Sequence, residues 1–75
     1  MLDQQSLKDL DDADIGDVVE VHWYNDECDF RTSVGHFSGF LKQGREWYLL
    51  VRGKLTVRMI DVSGFRRLKT PADIH

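Results

Sequence analysis

The stretch Val18-Val19-Glu20-Val21-His22-Trp23-Tyr24 alternates apolar and polar side chains with a period of two. Val19, Val21 and Trp23 fall on one face, and Glu20 and His22 fall on the other. Successive side chains of a β-strand point to opposite faces, so this pattern is typical of a strand with one buried face. The segment therefore predicts a β-sheet that packs on one side.

Downstream, the same alternation recurs in shorter segments. Strands are predicted from about 34 to 42, from 46 to 52 and from 55 to 60, with a short fifth strand over 65–68. The polar stretch 25–33 predicts a long loop, whereas 42–45 and 52–54 predict tight turns. Gly39 lies inside the second strand, where a glycine is typical of a bulge or a sharp bend.

Upstream, the chain predicts a short helix. Ser6-Leu7-Lys8-Asp9 fits a capping box with Ser6 as the N-cap, and Gly16 suits the end of the helical segment. Leu7 and Leu10, three residues apart, form a narrow apolar stripe that has to pack on another element.

These elements predict a mainly β fold, in which a short N-terminal helix precedes a five-stranded, strongly bent antiparallel barrel. With 75 residues the chain forms one domain, 1–75, divided into a helical segment (1–16), the barrel (17–70) and a tail (71–75). The predicted core consists of Trp23, Phe37, Trp47, Leu49, Val57 and Phe65.

Charge is distributed unevenly along a chain whose net charge is −3. Residues 1–30 hold ten acids against one base, and residues 31–75 hold nine bases against three acids. A basic face for nucleic acid is one interpretation. The alternative is that the two halves neutralise each other within the fold or across a subunit contact.

Catalytic and metal-binding motifs are missing from the sequence. His22, Cys28 and His36 lack the paired spacing of a zinc site, and no oxyanion motif accompanies Cys28. Asp26, Glu27 and Asp29 do not match a calcium-binding loop. We therefore expect no enzyme, no catalytic residue, no metal and no cofactor.

No apolar run approaches the roughly 20 residues that cross a bilayer, and the N-terminus has no leader-like pattern. A single cysteine suits a reducing compartment. The sequence therefore predicts a cytoplasmic protein with no membrane partner.

The order of elements resembles the Sm-like family of Sm, archaeal Sm and Hfq-type proteins. The resemblance rests on the bent second strand with Gly39-Phe40-Leu41 and on the break over 59–65 before a very short last strand. It covers nearly the whole chain. It implies an Sm-like or SH3-like barrel that assembles into a homo-oligomeric ring through strand edges and binds single-stranded RNA.

Two departures separate the chain from that family's uridine pocket. The turn between strands two and three reads Gln43-Gly44-Arg45-Glu46, without the family's Asp and Asn. The Arg52-Gly53 pair lies between strands three and four, whereas the family's Arg-Gly lies between strands four and five. The segments 19–23 and 33–35 also resemble small phage-type barrels.

A binding module is therefore the expected function, and two kinds of partner remain open. The first is single-stranded RNA, bound by an aromatic ring and by bases that hold phosphates. The candidate residues are Lys42, Arg45, Tyr48, Arg52, Lys54 and Arg58, with Phe40 and His36 as further ring candidates. The second is a protein-interaction or regulatory barrel that binds no nucleic acid.

Overall fold

A computed structural model describes residues 2–52 and 55–69. The N-terminal helix α1 spans Gln4–Asp12. Five strands follow: β1 (Val18–Tyr24), β2 (Phe30–Gln43), β3 (Glu46–Val51), β4 (Leu55–Arg58) and β5 (Val62–Lys69), with a 3₁₀ turn, Met59–Asp61, between the last two. No helix in the described part of the chain is long and apolar enough to cross a membrane. The predicted tail, 71–75, lies outside the described residues.

The strands form one antiparallel sheet in the order β4-β3-β2-β1-β5. The predicted fold class, mainly β with one short N-terminal helix and five antiparallel strands, is confirmed. The sheet is not closed into a barrel: β4 and β5 are its two edges and do not pair with each other.

The first hairpin is tighter than the sequence suggested. β1 has the predicted bounds, but β2 already begins at Phe30, opposite Tyr24, so the connection shrinks to residues 25–29. The Asn25 side-chain oxygen accepts hydrogen bonds from the N–H groups of Glu27 and Asp29, both at 2.9 Å. A local side-chain turn of this kind makes a polar, aperiodic stretch compact.

Gly39 is the bend that the sequence predicted. Its φ is +108°, and the register between β2 and β3 shifts between Phe37 and Gly39. The extra residue reverses the alternation, so Phe37 and Phe40 meet on one face with ring centroids 5.3 Å apart. Regular alternation along the strand would predict these two rings on opposite faces, and the bulge makes that prediction wrong.

The end of the chain departs from the predicted boundaries. β4 stops at Arg58, two residues early, and the 3₁₀ turn replaces its expected end. β5 begins at Val62, three residues before the predicted fifth strand, and pairs with β1 from Val62 onward. The longer β5 shares most of the length of β1.

Eight buried apolar residues form the core: Val19, Val21, Phe37, Leu49, Val51, Val57, Val62 and Phe65. Trp23 is partly buried against this cluster. Trp47, in contrast, is 51% exposed, so its predicted core position is wrong. Trp47 lies on the same face of β3 as Leu49, but it is two residues nearer the β2–β3 turn, where the buried core has ended.

The helix is capped by a different residue from the one the sequence indicated. Asp3 is the N-cap, and its carboxylate accepts a 2.7 Å hydrogen bond from the Ser6 N–H. Ser6 lies inside the helix and is buried, whereas Leu7 is 54% exposed. Leu10 packs against the core without Leu7.

One buried ion pair ties the start of the sheet to its last strand. Asp17 is fully buried, and its Oδ2 accepts hydrogen bonds from Arg67 Nε and from the Asp14 N–H, both at 2.9 Å. The Asp17 carbonyl also accepts from the Phe37 N–H at 2.8 Å. Asp17 therefore joins the segment after α1 to both β2 and β5.

Candidate nucleic-acid interface

The six predicted binding residues do not form one cluster. Lys42 and Arg45 lie at the turn between β2 and β3, and Arg52 lies at the opposite end of β3. Tyr48 and Arg58 pair across β3 and β4. Lys54 falls outside the described residues. The two tight turns that the sequence combined into one site therefore belong to opposite ends of a strand.

Strand alternation separates these residues further, onto two faces of the sheet. Phe40 lies opposite Leu49, and Lys42 lies opposite Trp47, so the side chains of these pairs share the face that carries the core. Tyr48, next to Trp47 in sequence, points to the other face. We call Phe40, Lys42 and Trp47, with Arg45 in the adjoining turn, the hairpin face.

The hairpin face exposes two aromatic rings at the end of the core. Phe40 is 44% exposed, and its ring meets the buried Phe37 edge-on. Trp47 is a diagonal neighbour of Phe40 across the two strands, and Lys42 Nζ lies 5.7 Å from the centre of its ring. Since each ring is attached to a paired strand, the backbone beneath both rings is fixed before any ligand arrives.

A two-residue turn, Gly44-Arg45, closes this hairpin. Gly44 has a φ of +64°, the left-handed conformation that tight hairpin turns require and that glycine adopts without strain. Arg45 is exposed, and its side chain makes no hydrogen bond or ion pair with any described residue. Its guanidinium group is therefore available to a ligand.

Arg58, on the opposite face, is already paired. Its Nε donates to Asp61 at 3.0 Å, and this hydrogen bond is the main reason why its pKa is raised further above the ordinary value. Glu46 and Asp26 add weaker electrostatic stabilisation of the charged form. A phosphate would have to compete with three carboxylates, which makes Arg58 a poor anion contact.

Tyr48 and Arg58 line an open cleft of about 420 Å³ at the end of the first hairpin. Trp23 and Tyr24 contribute further rings, whereas Asp26 and Asp61 contribute negative charge. The cleft combines aromatic surface with carboxylates, a combination that does not favour a phosphate backbone.

The remaining bases are dispersed. Arg67 is bonded to the buried Asp17, and Arg31 lies 4.0 Å from Asp29 on β2. The pKa of Asp3 is lowered mainly by the hydrogen bond from the Ser6 backbone. Arg66, on β5, adds a smaller electrostatic contribution to that lowering. Among the described residues, Lys42 is the base that lies over an exposed aromatic ring, that of Trp47.

A second cleft, of about 480 Å³, lies between α1, β1 and β5. It contains Glu20 and His22, whose Oε1 and Nε2 atoms are 2.6 Å apart, and Phe30, whose ring is 5.6 Å from the imidazole. His36 is engaged elsewhere, at 3.0 Å from the Gly16 carbonyl. No group of three or more metal-ligating side chains occurs within 2–52 and 55–69.

Comparison with known proteins found no matching family model, no matching curated protein and no matching solved structure. Membership of the Sm-like family therefore stays a prediction from the order of elements.

The sequence did not indicate Trp47 as a binding candidate, because strand alternation places it on the same face as the core residues. The signal that could have identified it is position. Trp47 follows the Gly44-Arg45 turn by two residues, and the strand pairs next to a turn extend beyond buried residues such as Leu49.

Proposed function

We propose that this chain is a non-enzymatic binding module that takes single-stranded nucleic acid on the hairpin face. The observation that carries the proposal is the exposure of Trp47, with half of its surface open, beside Phe40, Lys42 and Arg45. An exposed tryptophan fixed on a sheet is a stacking platform, since every nucleobase offers a π-face.

Each residue of the hairpin face has a distinct role in this proposal. Trp47 and Phe40 stack on successive unpaired bases, whereas Lys42 and Arg45 contact the phosphates that link them. Lys42 already lies close to the indole ring, so one nucleotide can contact both side chains. Sequence preference is weak, because stacking does not read the edges of the bases.

Dispersal of the other bases limits the electrostatic part of the affinity. With two phosphate contacts, at about 0.7 each for a single strand, log affinity should fall by about 1.4 for each unit of log salt. A continuous basic groove would give a much steeper dependence. Stacking therefore supplies most of the binding free energy.

The test is the affinity of the full-length chain for a uridine-rich RNA and for single-stranded DNA, measured by fluorescence anisotropy. Trp47→Ala should weaken binding by about 1 to 3 kcal/mol, or roughly 5- to 150-fold, because a stacking surface is lost. Trp47 is exposed, so the variant should keep its circular dichroism spectrum and its melting temperature.

Matched controls come from the same strand and from the same charge type. Tyr48→Ala, one residue along on the opposite face, should leave the affinity unchanged. Lys42→Ala should flatten the salt dependence, whereas Arg52→Ala, which removes an equal charge at the far end of β3, should not.

The proposal fails if no oligonucleotide binds more tightly than about 100 μM at about 50 mM salt, the weak end of nonspecific affinity. A protein partner would then be the better explanation of the hairpin face, since Trp and Arg are enriched where protein interfaces gain most affinity.

A further inference from the structure

We propose that the open cleft at the end of the first hairpin binds the guanidinium group of an arginine side chain on a peptide. Three aromatic rings and two carboxylates line this cleft of about 420 Å³, which we call the aromatic–acidic cleft: Trp23, Tyr24, Tyr48, Asp26 and Asp61. Its volume is in the range of small-ligand sites. Tyr48 points away from the hairpin face, so the proposal is independent of the nucleic-acid proposal.

The rings provide a surface on which a planar cation can lie. Trp23 is partly buried against the core, and its indole N–H donates to Ser33 Oγ at 3.2 Å, so its polar edge is already hydrogen-bonded. Tyr24 is 44% exposed and meets the Phe30 ring edge-on, with ring centroids 5.5 Å apart. Aromatic faces attract cations, and a guanidinium group stacks on them. The rings therefore favour a flat, positively charged ligand.

Carboxylates outnumber cations around the aromatic–acidic cleft. Asp61 accepts a 3.0 Å hydrogen bond from Arg58 Nε. Asp26 is exposed, and its carboxylate forms no hydrogen bond or ion pair with the described residues. Glu46 and Asp26 both stabilise the charged form of Arg58 from a greater distance. Negative charge is therefore in excess, which favours a cationic ligand over an anion.

Arg58 shows which kind of cation this cleft accepts. It lines the cleft, and its guanidinium group is already bonded to Asp61. A second guanidinium group can bind the Asp26 carboxylate through two parallel N–H···O bonds and lie on a ring at the same time. A lysine ammonium group has no planar face to stack, and its stronger hydration makes it more costly to remove from water. The cleft therefore favours arginine over lysine.

The test is an NMR titration of the full-length, isotope-labelled chain with the peptide acetyl-Gly-Arg-Gly-amide. The resonances of the Trp23 indole N–H and of the Tyr24 and Tyr48 backbone N–H groups should shift. The same peptide with citrulline in place of arginine has nearly the same shape without the charge. It should bind at least about fivefold more weakly, because both the ion pair and the cation–π contact are lost.

Two substitutions in the cleft should weaken binding of the arginine peptide. Tyr48→Ala and Asp26→Asn should each reduce the affinity by about 2- to 5-fold, the loss expected for one exposed cation–π contact or one exposed ion pair. Tyr48→Phe keeps the ring and should keep the affinity. This variant, with the titration of the wild type, tests the site even if Tyr48→Ala does not fold.

Matched controls come from neighbouring residues outside the cleft. Trp47→Ala removes a ring one residue away on the opposite face, and Glu27→Gln removes a charge next to Asp26. Neither should change the affinity for the arginine peptide. Because Trp47→Ala should weaken binding of nucleic acid, failure of one proposal can be distinguished from failure of the other.

Arg58→Gln should have the opposite effect from the two cleft substitutions. It removes the cation that occupies Asp61, so the arginine peptide should bind about 2- to 5-fold more tightly. Unchanged or weaker binding would contradict the charge argument.

Methylguanidinium tests whether the ligand is a side chain or a free cation. It should bind more weakly than the peptide, since it lacks the methylene groups with which arginine covers the rings. Equal affinities would overturn the assignment to an arginine side chain. The whole proposal is overturned if the arginine and citrulline peptides bind equally, or if folded Tyr48→Ala and Asp26→Asn variants keep the wild-type affinity.

Discussion

At the scale of single residues, position along a strand matters as much as side-chain type. Leu49 and Trp47 share a face of β3, yet Leu49 is fully buried and Trp47 is half exposed. The core ends between these two residues, and the larger of the two side chains, Trp47, is the one that stays exposed to water. An exposed tryptophan is the kind of local conflict that favours a binding role.

Asp3 carries a residue-scale prediction about pH. The hydrogen bond from the Ser6 backbone holds the pKa of this carboxylate below its ordinary value of 3.8. A depressed pKa means that the carboxylate stabilises the fold above the unfolded-state pKa, and that this contribution disappears as pH falls through the folded-state pKa.

Asp3→Asn should therefore reduce the acid sensitivity of the fold, since an amide oxygen still caps the helix but does not titrate. The urea concentration at the unfolding midpoint should fall less between about pH 5 and about pH 2 for the variant than for the wild type. Equal losses in the two proteins would show that the Asp3 contact does not persist in solution.

At the scale of elements, β2 organises the sheet. It has 14 residues, pairs with β1 over its first half and with β3 over its second, and bends at Gly39 near the start of the second half. The bulge brings Phe37 and Phe40 to one side, which places the exposed Phe40 ring beside Trp47. The hairpin face exists because of this irregularity.

Gly39→Ala should destabilise the fold by about 1 to 3 kcal/mol, since an L-residue is strained at a φ of +108°. The added Cβ would lie 3.8 Å from the Ile15 side chain, an ordinary contact, so the cost comes from the backbone. Thermal unfolding measures it.

The matched control for that substitution is D-alanine at position 39, introduced by chemical synthesis, because its mirror-image backbone preference favours positive φ. D-alanine should cost less than L-alanine. Equal costs would contradict the backbone explanation.

At the scale of the whole molecule, the Asp17–Arg67 pair links residues that are 50 positions apart in sequence. Asp17 is fully buried, whereas the Arg67 side chain is a quarter exposed. Removing one partner therefore has a different cost from removing the other. Losing Arg67 leaves a buried carboxylate without a cation, which is the more costly situation.

Arg67→Met should cost about 3 to 5 kcal/mol of unfolding free energy, the usual cost of breaking a buried pair. Adding Asp17→Asn should recover part of that loss, since a neutral amide still accepts from the Asp14 N–H without leaving a buried charge. A double variant less stable than Arg67→Met alone would contradict this account.

The sequence by itself determined the elements that depend on local periodicity and local turn chemistry. The bounds of β1, the presence of a tight turn after β2, the bend at Gly39 and the burial of Phe37, Leu49, Val57 and Phe65 follow from alternation and from glycine's freedom at positive φ. Only the tertiary structure decided that Ser6 Oγ accepts a hydrogen bond from β5 instead of capping α1, and that Trp47 lies outside the core. Those features depend on where strands end relative to one another in space, and a periodic pattern gives the face of a side chain but not the extent of the core beneath it.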